Sequence, residues 1–376
     1  MSESTKALSR RSFLSSGALA GGVAASALAA PAVLAQAPVV VKMQTSWPAS
    51  DIWMEFARQY VVAVEEMSGG RLKIDLLPAG AVVGAFQVLD GVNDGVIDAA
   101  HSVSSYWYGK HKGASFFGTG PVFGGSATTM LGWYYQGGGQ ELYRELTQEI
   151  LGLNVVGLFG FPMPAQPFGW FKKPINGLAD IKGLKYRTVG LAADLMQQMG
   201  MSVAQLPGGE IVPAMERGVI DAFEFNNPSS DLRFGTADVA TNYYLSSYHQ
   251  ASEAFEFLFN KDFLEDLDPD LQAILKHGVN ASASANTYFA LDNYSSDLQK
   301  LQNDLGVTVY RTPKDILNAQ LVAWDVLIET LSQDDYMKRV MDSQRAWVER
   351  VTYYELMNQA DLGLAYEHYF PGKLSI

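Results

Sequence analysis

The spacing of apolar residues changes several times along this chain, and each change predicts a new element. Residues 38–45 are a β-branched run, which predicts a buried strand. Residues 51–67 place apolar side chains at helical spacing, and residues 71–76 alternate between apolar and polar, as an amphipathic strand does. A short helix near residues 86–93 and a strand that begins at about residue 99 complete this first series.

The same order of elements returns in residues 183–231. The pattern predicts a strand, a helix, a strand and a helix at 184–188, 192–199, 202–206 and 211–217. In both series a Leu-Pro-x-Gly turn precedes the second helix, and the pentapeptide GVIDA, at 95–99 and 218–222, leads into the next strand. The repeat predicts an α/β protein with two related lobes and a small-molecule cleft between them.

The remaining segments indicate how the lobes are joined. Strands are predicted at 153–161 and 254–259, and the Pro-rich break at 163–167 is a candidate crossing between the lobes. Beyond residue 269 the chain is predicted to be mainly helical, with long periodic segments at 270–304, 314–332 and 335–367. Two small lobes do not need so many helices, so we expect a spanning helix and an interaction surface.

These patterns divide the chain into four parts. The predicted parts are a signal peptide (1–35), a first α/β lobe (38–164 plus 251–292), a second α/β lobe (165–250 plus 293–313), and C-terminal helices that could mediate dimerisation (314–376).

The N-terminus has the pattern of an export signal. Residues 9–14, SRRSFL, contain a twin-arginine pair, and an apolar run rich in Gly and Ala follows over 17–30. Small residues then suit a signal peptidase, with cleavage preferred after Ala35. A membrane helix is the alternative, but the run is short and weakly hydrophobic. We therefore expect export by the twin-arginine pathway to the periplasm and a soluble mature protein.

Composition excludes several classes of function. The chain has no cysteine, which excludes thiol catalysis, zinc bound by cysteine and iron–sulfur clusters. Its net charge is −13, from 40 acidic and 27 basic residues, which argues against nucleic acid and is compatible with a small anionic ligand. The five histidines lack metal-binding spacing, and neither a GxSxG elbow nor a P-loop occurs. These absences favour a binding protein over an enzyme.

Arg187 lies at the predicted end of a strand, where ligands bind in open α/β sheets. A guanidinium offers two parallel hydrogen bonds to a carboxylate, so we interpret Arg187 as the residue that holds an organic acid. The alternative is an ion pair with a structural acid.

Glu224 is a lone acid between two phenylalanines, which is a poor position for a solvated charge. Such a group must be paired, neutral or bound to a cation. Gln166, at the lobe crossing, supplies a neutral oxygen that suits a hard cation. The formal charges of Arg187, Glu224 and one ligand carboxylate sum to minus one, which sodium would neutralise. Calcium would need another acid, and Asp231 is the nearest candidate.

Aromatic residues follow the first GVIDA unit. Tyr106 and Tyr108 are placed to face the cleft and to donate a hydroxyl, whereas core packing is the better interpretation for Trp107. Asn226, two residues beyond Glu224, is a further candidate for ligand contact.

Several motifs together resemble the substrate-binding proteins of tripartite ATP-independent periplasmic (TRAP) transporters, the DctP-like family. They are the twin-arginine leader, 185–187 (KYR), 206–210 (LPGGE), 218–224 (GVIDAFE), the 242–249 region and 257–261 (FLFNK). The resemblance covers essentially the whole mature chain. It is most specific over 183–231, and it is closest to the branch that binds 2-oxo acids with sodium and hydroxy acids with calcium.

The resemblance implies two α/β lobes joined by a long helix and closing on the ligand. It implies that Arg187 clamps a carboxylate, and that Glu224, the backbone carbonyl of Phe225 and Gln166 hold a cation. The residue matching Phe225 is commonly tryptophan in this branch, so the pocket is expected to be wider and to admit an acid larger than pyruvate. The branch also includes dimers that exchange C-terminal helices.

The sequence therefore predicts a periplasmic receptor that is not an enzyme. It would capture a small 2-oxo or 2-hydroxy monocarboxylate with sodium, or with calcium as the alternative, and deliver it to TRAP membrane subunits. No nucleic acid partner is expected. A binder of larger or aromatic carboxylates without metal, a secreted enzyme acting on a keto acid, and a sensor with the same cleft remain open.

Overall fold

The computed structural model describes residues 37–374, and the predicted signal peptide (1–35) lies outside them. The strands are β1 Val39–Thr45, β2 Leu72–Leu77, β3 Ala99–Ser102, β4 Val155–Met163, β5 Gly169–Phe171, β6 Lys185–Arg187, β7 Ser202–Ala204, β8 Ala222–Phe223, β9 Asn242–Leu245, β10 Glu253–Asn260 and β11 Thr308–Arg311. They form two sheets, one in the order β2-β1-β3-β10-β4 and the other in the order β11-β9-β5-β8-β6-β7.

Helices surround both sheets. They are α1 Ile52–Met67, α2 Val88–Asn93, α3 Ser115–Gly118, α4 Ala127–Gln136, α5 Gly139–Arg144, α6 Leu191–Gln198, α7 Ile211–Glu216, α8 Pro228–Phe234, α9 Lys261–Glu265, α10 Pro269–Asn303, α11 Lys314–Leu331, α12 Asp335–Asn358 and α13 Leu362–Tyr369. The two-lobed α/β fold with a spanning helix and extra C-terminal helices is confirmed. Within the described residues, we find no helix that is long and apolar enough to cross a membrane.

The repeated unit is present in both sheets, and its GVIDA motif has the same role twice. β1 lies between β2 and β3 in the first sheet, and β6 lies between β7 and β8 in the second, with all four pairings parallel. The Asp98 carboxylate accepts from Lys42 N at 2.8 Å, while Asp98 N donates to Lys42 O. Asp221 makes the same exchange with Lys185 in the second copy. The motif therefore fixes the start of β3 against β1, and the start of β8 against β6.

Helix α10 is 35 residues long and contacts both sheets. Near its start, Leu275 and Val279 pack in the core of the first sheet; near its end, Leu301 packs with Trp170 and Tyr243 of the second. Between these points, side chains bond back to carbonyls three or four residues earlier: Ser282 to Val279, Thr287 to Ala283, Asn293 to Phe289, Ser295 to Leu291 and Ser296 to Asn293.

The C-terminal helices pack on both sides of the molecule. Trp324 of α11 donates to Tyr248 O at 2.7 Å, and Trp347 of α12 donates to Thr129 O at 2.9 Å. The helical segment predicted at 335–367 forms two helices, because the chain breaks after α12 and the Asp361 side chain caps the start of α13. Large apolar side chains of this region are exposed, including Tyr353, Leu356, Met357, Leu362, Leu364 and Tyr369.

Several elements are absent from the sequence prediction. β5 and β9 are short antiparallel neighbours, and β11 lies between the helical segments predicted at 270–304 and 314–332. Helix α4 lies in a segment rich in glycine and aromatic residues. Its start is fixed by a capping box between Ser126 and Thr129, which overrides the weak helical pattern.

Candidate functional site

Arg187 ends β6, directly beside Phe223 at the end of the parallel strand β8. Its side chain is only 1% exposed. Nε donates to Leu206 O at 2.8 Å, and Nη1 donates both to the backbone carbonyl of Glu224 at 2.8 Å and to its Oε1 at 3.1 Å. The guanidinium carbon lies 5.5 Å from the centre of the Phe225 ring. Nη2 is buried without a hydrogen-bond partner, so one edge of the guanidinium is left for another acceptor.

Glu224 follows β8 and is completely buried. Oε1 is the atom that accepts from Arg187, whereas Oε2 is buried without a partner. Burial raises the pKa of this carboxyl to about 7, although the Arg187 charge acts in the opposite direction. The ion pair therefore leaves one nitrogen of Arg187 and one oxygen of Glu224 without a hydrogen-bond partner.

Gln166 lies on the segment that crosses between the sheets after β4. Its backbone N–H donates to Gln250 O at 3.0 Å, which ties this crossing to the returning one before β10. Its Nε2 donates to Glu253 Oε2 at 2.5 Å, and its Oε1 is buried without a partner. The side chain thus has one engaged end and one free oxygen.

Asn226 is engaged within the protein. Nδ2 donates to Glu253 Oε2 at 3.2 Å, and Oδ1 accepts from Trp53 Nε1 at 3.2 Å and from Asn227 Nδ2 at 2.5 Å. Its predicted contact with a ligand stays a prediction.

Glu253 is a residue of this site that the sequence analysis missed. It begins β10, is 2% exposed, and accepts from both Gln166 and Asn226. Burial, and to a lesser extent the Glu224 charge, raise its pKa to about 8, against the opposing effect of the two amide hydrogen bonds. The available signal was an acid at the head of the otherwise apolar segment EAFEFLFN.

Tyr106 is partly buried, and its ring packs against Phe86 with 4.6 Å between centroids. Together with Ser105, Val189 and Gln205 it lines a cavity of about 460 Å³ that lies between the segments after β3 and β6. Burial raises the pKa of the Tyr106 hydroxyl, and the Arg187 charge opposes this shift. The structure therefore places Tyr106 in the electrostatic field of Arg187. Trp107 packs in the core, as expected, and donates to Glu256 Oε2 at 2.8 Å.

The two lobes meet closely around this cavity. A Cβ built on Gly190 would lie 2.9 Å from Ser105 Cβ and 3.0 Å from Ser115 Oγ. Nearby, Asp194 of α6 accepts from Tyr108 OH and from Lys112 Nζ, each at 2.8 Å. Four hydroxyls on these segments are buried without a partner: Ser104, Ser105, Ser115 and Thr188.

The remaining predicted residues have definite environments. The Phe225 ring packs on Phe234 with 4.8 Å between centroids and forms the floor under Arg187. Asp231 accepts from Trp170 Nε1 at 2.8 Å and keeps Oδ1 buried without a partner. Burial raises the pKa of Asp231 to about 7. Over residues 37–374 there is no group of three or more His, Cys, Asp or Glu side chains that could hold a metal ion.

The chain matches the model of the DctP family, described as bacterial extracellular solute-binding protein, family 7, over residues 43–333. The chain belongs to this family. The solute-binding protein is therefore a receptor rather than an enzyme, and its resemblance to the DctP-like proteins is confirmed.

A relative from Nostoc sp. (strain PCC 7120) is named a monocarboxylate 2-oxoacid-binding periplasmic protein. It is 33% identical over 331 residues, which cover 87% of this chain and 88% of the relative.

Two solved structures share the fold of the solute-binding protein. One is a TRAP solute-binding protein from Bordetella bronchiseptica RB50, which is 26% identical to this chain with a TM-score of 0.81. The match covers 89% of this chain and 98% of the Bordetella chain. That structure is described as a mixed-occupancy dimer, with calcium and picolinate bound in one active site and the other site apo. The other is a TRAP periplasmic solute-binding protein from Pseudoalteromonas atlantica T6c, which is 29% identical with a TM-score of 0.80. The match covers 88% of this chain and 99% of the Pseudoalteromonas chain, whose structure has bound sodium and pyruvate.

The residues of this solute-binding protein fit a cation beside an organic acid. Two buried oxygens without partners, Glu224 Oε2 and Gln166 Oε1, are the hard ligands that sodium and calcium prefer. The free Arg187 Nη2 is a donor suited to a carboxylate.

Proposed function

We propose that this protein captures a small organic acid together with one cation in the cleft between its two sheets. Arg187 binds the carboxylate of the acid, while Glu224 and Gln166 bind the cation, with the carbonyl of Phe225 as a further ligand. The observation that carries the proposal is the set of three free polar atoms, Nη2, Oε2 and Oε1, in otherwise satisfied buried side chains.

Free energy supports this assignment. A buried donor or acceptor without a partner costs about 1–3 kcal/mol, and more for charged groups. A ligand carboxylate satisfies the donor of Arg187, and a cation satisfies the two oxygens. Binding the acid and the cation together therefore removes the free-energy cost of three buried polar atoms without partners, and this gain favours binding.

A 2-oxo or 2-hydroxy monocarboxylate is the proposed class of acid. The Nostoc relative is named for 2-oxoacids, and the Pseudoalteromonas structure holds pyruvate. A larger or aromatic acid is the second candidate. The picolinate in the Bordetella structure and the phenylalanine at position 225 favour it. Tyr106 and Asn226 are proposed to contact the part of the acid beyond its carboxylate.

Sodium is the proposed cation, with calcium as the alternative. The proposed ligands include a single carboxylate, and within residues 37–374 no three His, Cys, Asp or Glu side chains are grouped so that they could hold a metal ion. Such a set suits a monovalent ion better than a divalent one. The two solved relatives hold sodium in one case and calcium in the other, so both ions belong in the test.

The receptor is proposed to deliver its acid to the membrane subunits of a TRAP transporter after twin-arginine export to the periplasm. We propose the lobe boundaries given by the sequence, 38–164 plus 251–292 and 165–250 plus 293–313. A homodimer through residues 314–376 is proposed because the ends of α12 and α13 expose large apolar side chains, and because the Bordetella relative is described as a dimer.

The first test is native mass spectrometry of the purified protein, followed by identification of any released acid and metal. Titration calorimetry with pyruvate, lactate and picolinate, each with sodium, calcium or neither, then gives the affinities. We expect cation-dependent binding in the wild type and no dependence in Glu224→Gln. Glu256→Gln is the matched control, because Glu256 is equally buried but bonds to Trp107 and Tyr143 in the first sheet. Cation dependence that persists in Glu224→Gln would remove Glu224 from the cation site.

A further inference from the structure

Glu253 connects two residues of the site through one oxygen. Its Oε2 accepts from Gln166 Nε2 at 2.5 Å and from Asn226 Nδ2 at 3.2 Å. Gln166 belongs to the crossing segment, whereas Asn226 follows β8 in the second sheet. One carboxyl at the head of β10 therefore binds side chains from two separate parts of the chain.

The chemistry of the two amides makes this contact directional. A carboxamide has donors only on nitrogen and an acceptor only on oxygen. Glu253 Oε2 accepts from both amide nitrogens, so Gln166 faces it with Nε2. The Gln166 oxygen must then turn away from Glu253, and it is this Oε1 that is buried and without a partner.

The geometry points to Glu253 as a positioning residue for the cation site. We propose that Glu253 fixes the Gln166 amide so that Oε1 is offered to the cation, and that it does so without binding the cation or the acid itself. This inference rests on the proposed function, because Gln166 is a cation ligand only in that proposal. Partners that orient metal ligands typically change metal affinity about 10- to 100-fold when they are removed.

The backbone gives Gln166 little freedom to compensate. Its N–H is held by Gln250 O, so the residue cannot shift along the crossing segment without breaking that bond. The orientation of its amide is therefore decided by what the nitrogen can bond to. Glutamine at position 253 could offer either its oxygen or its nitrogen, so the amide of Gln166 would lose its single preferred orientation.

The experiment compares Glu253→Gln with Glu256→Gln, a buried glutamate three positions further along the same strand. Calorimetric titrations of pyruvate are run over a range of sodium and calcium concentrations. We expect Glu253→Gln to need about 10- to 100-fold more cation than the wild type for half of the cation-induced increase in pyruvate affinity. At saturating cation, the pyruvate affinity of the variant should be within about twofold of the wild type. Glu256→Gln should follow the wild-type curve.

A purely structural role gives another result. General damage to the pocket would lower pyruvate affinity at every cation concentration, including saturation. That outcome, or an unchanged cation requirement in Glu253→Gln, would overturn the assignment.

A double-mutant cycle separates this inference from the proposed function. If Glu253 acts through Gln166, the cation requirement of the double variant Gln166→Ala with Glu253→Gln should differ from that of Gln166→Ala alone by no more than about twofold. If the wild type binds pyruvate without any cation dependence, the cation part of the proposed function fails. The same cycle, measured on pyruvate affinity alone, still reports whether positions 166 and 253 are coupled, and additive effects would refute the positioning role.

A second variant covers the case in which Glu253→Gln does not fold. The exchange Gln166→Glu with Glu253→Gln keeps a donor facing an acceptor and adds a carboxylate at position 166. We expect the exchanged protein to bind a cation and to favour calcium over sodium by at least about tenfold more than the wild type. Loss of cation binding in a folded exchange variant would count against the inference.

Discussion

Arg187 and Glu224 are joined through Nη1 and Oε1 at 3.1 Å, and each keeps its second polar atom buried and free. A fully bidentate pair would have used both. Nη1 also donates to the backbone carbonyl of Glu224 at 2.8 Å. This bond holds the guanidinium near the backbone, where Nη2 does not bond to Oε2 as it would in a bidentate pair. The pair is thus held in a geometry that keeps one donor edge and one acceptor for a ligand.

The first prediction concerns the shape of the Arg187 side chain. Arg187→Lys keeps the positive charge beside Glu224 but removes the planar two-edged donor. We expect acid affinity to fall by at least about tenfold, because an ammonium cannot hold Glu224, Leu206 O and a ligand carboxylate in one plane. Calorimetry measures the loss. Arg233→Lys is the control, because Arg233 pairs with Glu55 and is partly exposed. The acid affinity of this control variant should stay within about twofold of the wild type.

The second prediction concerns pH and three buried acids outside the proposed cation ligands. Burial raises the pKa of Asp51, Asp231 and Glu256 to about 7, from usual values of 3.8, 3.8 and 4.5. Between about pH 4 and 7 the folded protein therefore holds protons that the unfolded chain has lost. The free energy of unfolding must fall as pH rises through this window, and the stabilising contribution is complete only below it.

Thermal unfolding of the protein without ligand, at constant ionic strength from pH 5 to 8, measures this slope. We expect a lower melting temperature at pH 8 than at pH 5. Glu256→Gln should make the curve less steep, because it removes one of the buried acids that titrate in this window. A melting temperature that rises steadily across the window would contradict the burial argument.

The third prediction concerns the close approach of the two lobes at Gly190. Its φ is +63°, and an added Cβ would lie within 3.0 Å of Ser105 and Ser115. Gly190→Ala should therefore hold the lobes apart and weaken acid binding by at least about tenfold, which calorimetry can measure. Gly209→Ala is the control, because its Cβ would meet only Pro48 at an ordinary 3.5 Å. Equal affinities in both variants would show that closure tolerates the extra carbon.

The fourth prediction concerns the exposed apolar side chains of the C-terminal helices. Leu356 and Leu364 are 70% and 72% exposed, which is costly for a protein that stays monomeric. The double variant Leu356→Glu with Leu364→Glu should shift a dimer to monomer in light scattering after size exclusion, with acid affinity unchanged. Val40→Glu, at a similarly exposed position on β1, should leave the mass unchanged. A wild type that is monomeric at high concentration would refute the proposed dimer.

The repeated unit could be predicted from the sequence because its signals are local. Strand and helix periods are clear in β1, α1, β6 and α6, and the GVIDA aspartate bonds to a strand that the pattern already identifies. The position of Arg187 at a strand end follows from the same periods. The pairing of Arg187 with Glu224 could not be predicted in this way. The two residues are 37 positions apart in sequence, and they meet only because β6 and β8 lie side by side.

Glu253 shows what the pattern could not reveal. Its partners, Gln166 and Asn226, are far away in sequence, and an acid within an apolar strand has no period of its own. The short strands β5, β9 and β11 were missed for a related reason. Three or four residues are too few to establish alternation, and these strands are stabilised by pairing with distant neighbours.

Helix α10 has a mechanical consequence for the receptor. It connects the two sheets in addition to the crossings at Gln166 and Gln250. Between residues 287 and 295, hydroxyl and amide side chains of the helix donate to carbonyls that also belong to its backbone hydrogen bonds. Such bonds make a helix easier to curve. We therefore expect α10 to bend in this stretch when the cleft opens, so that the helix takes up part of the lobe movement along its length.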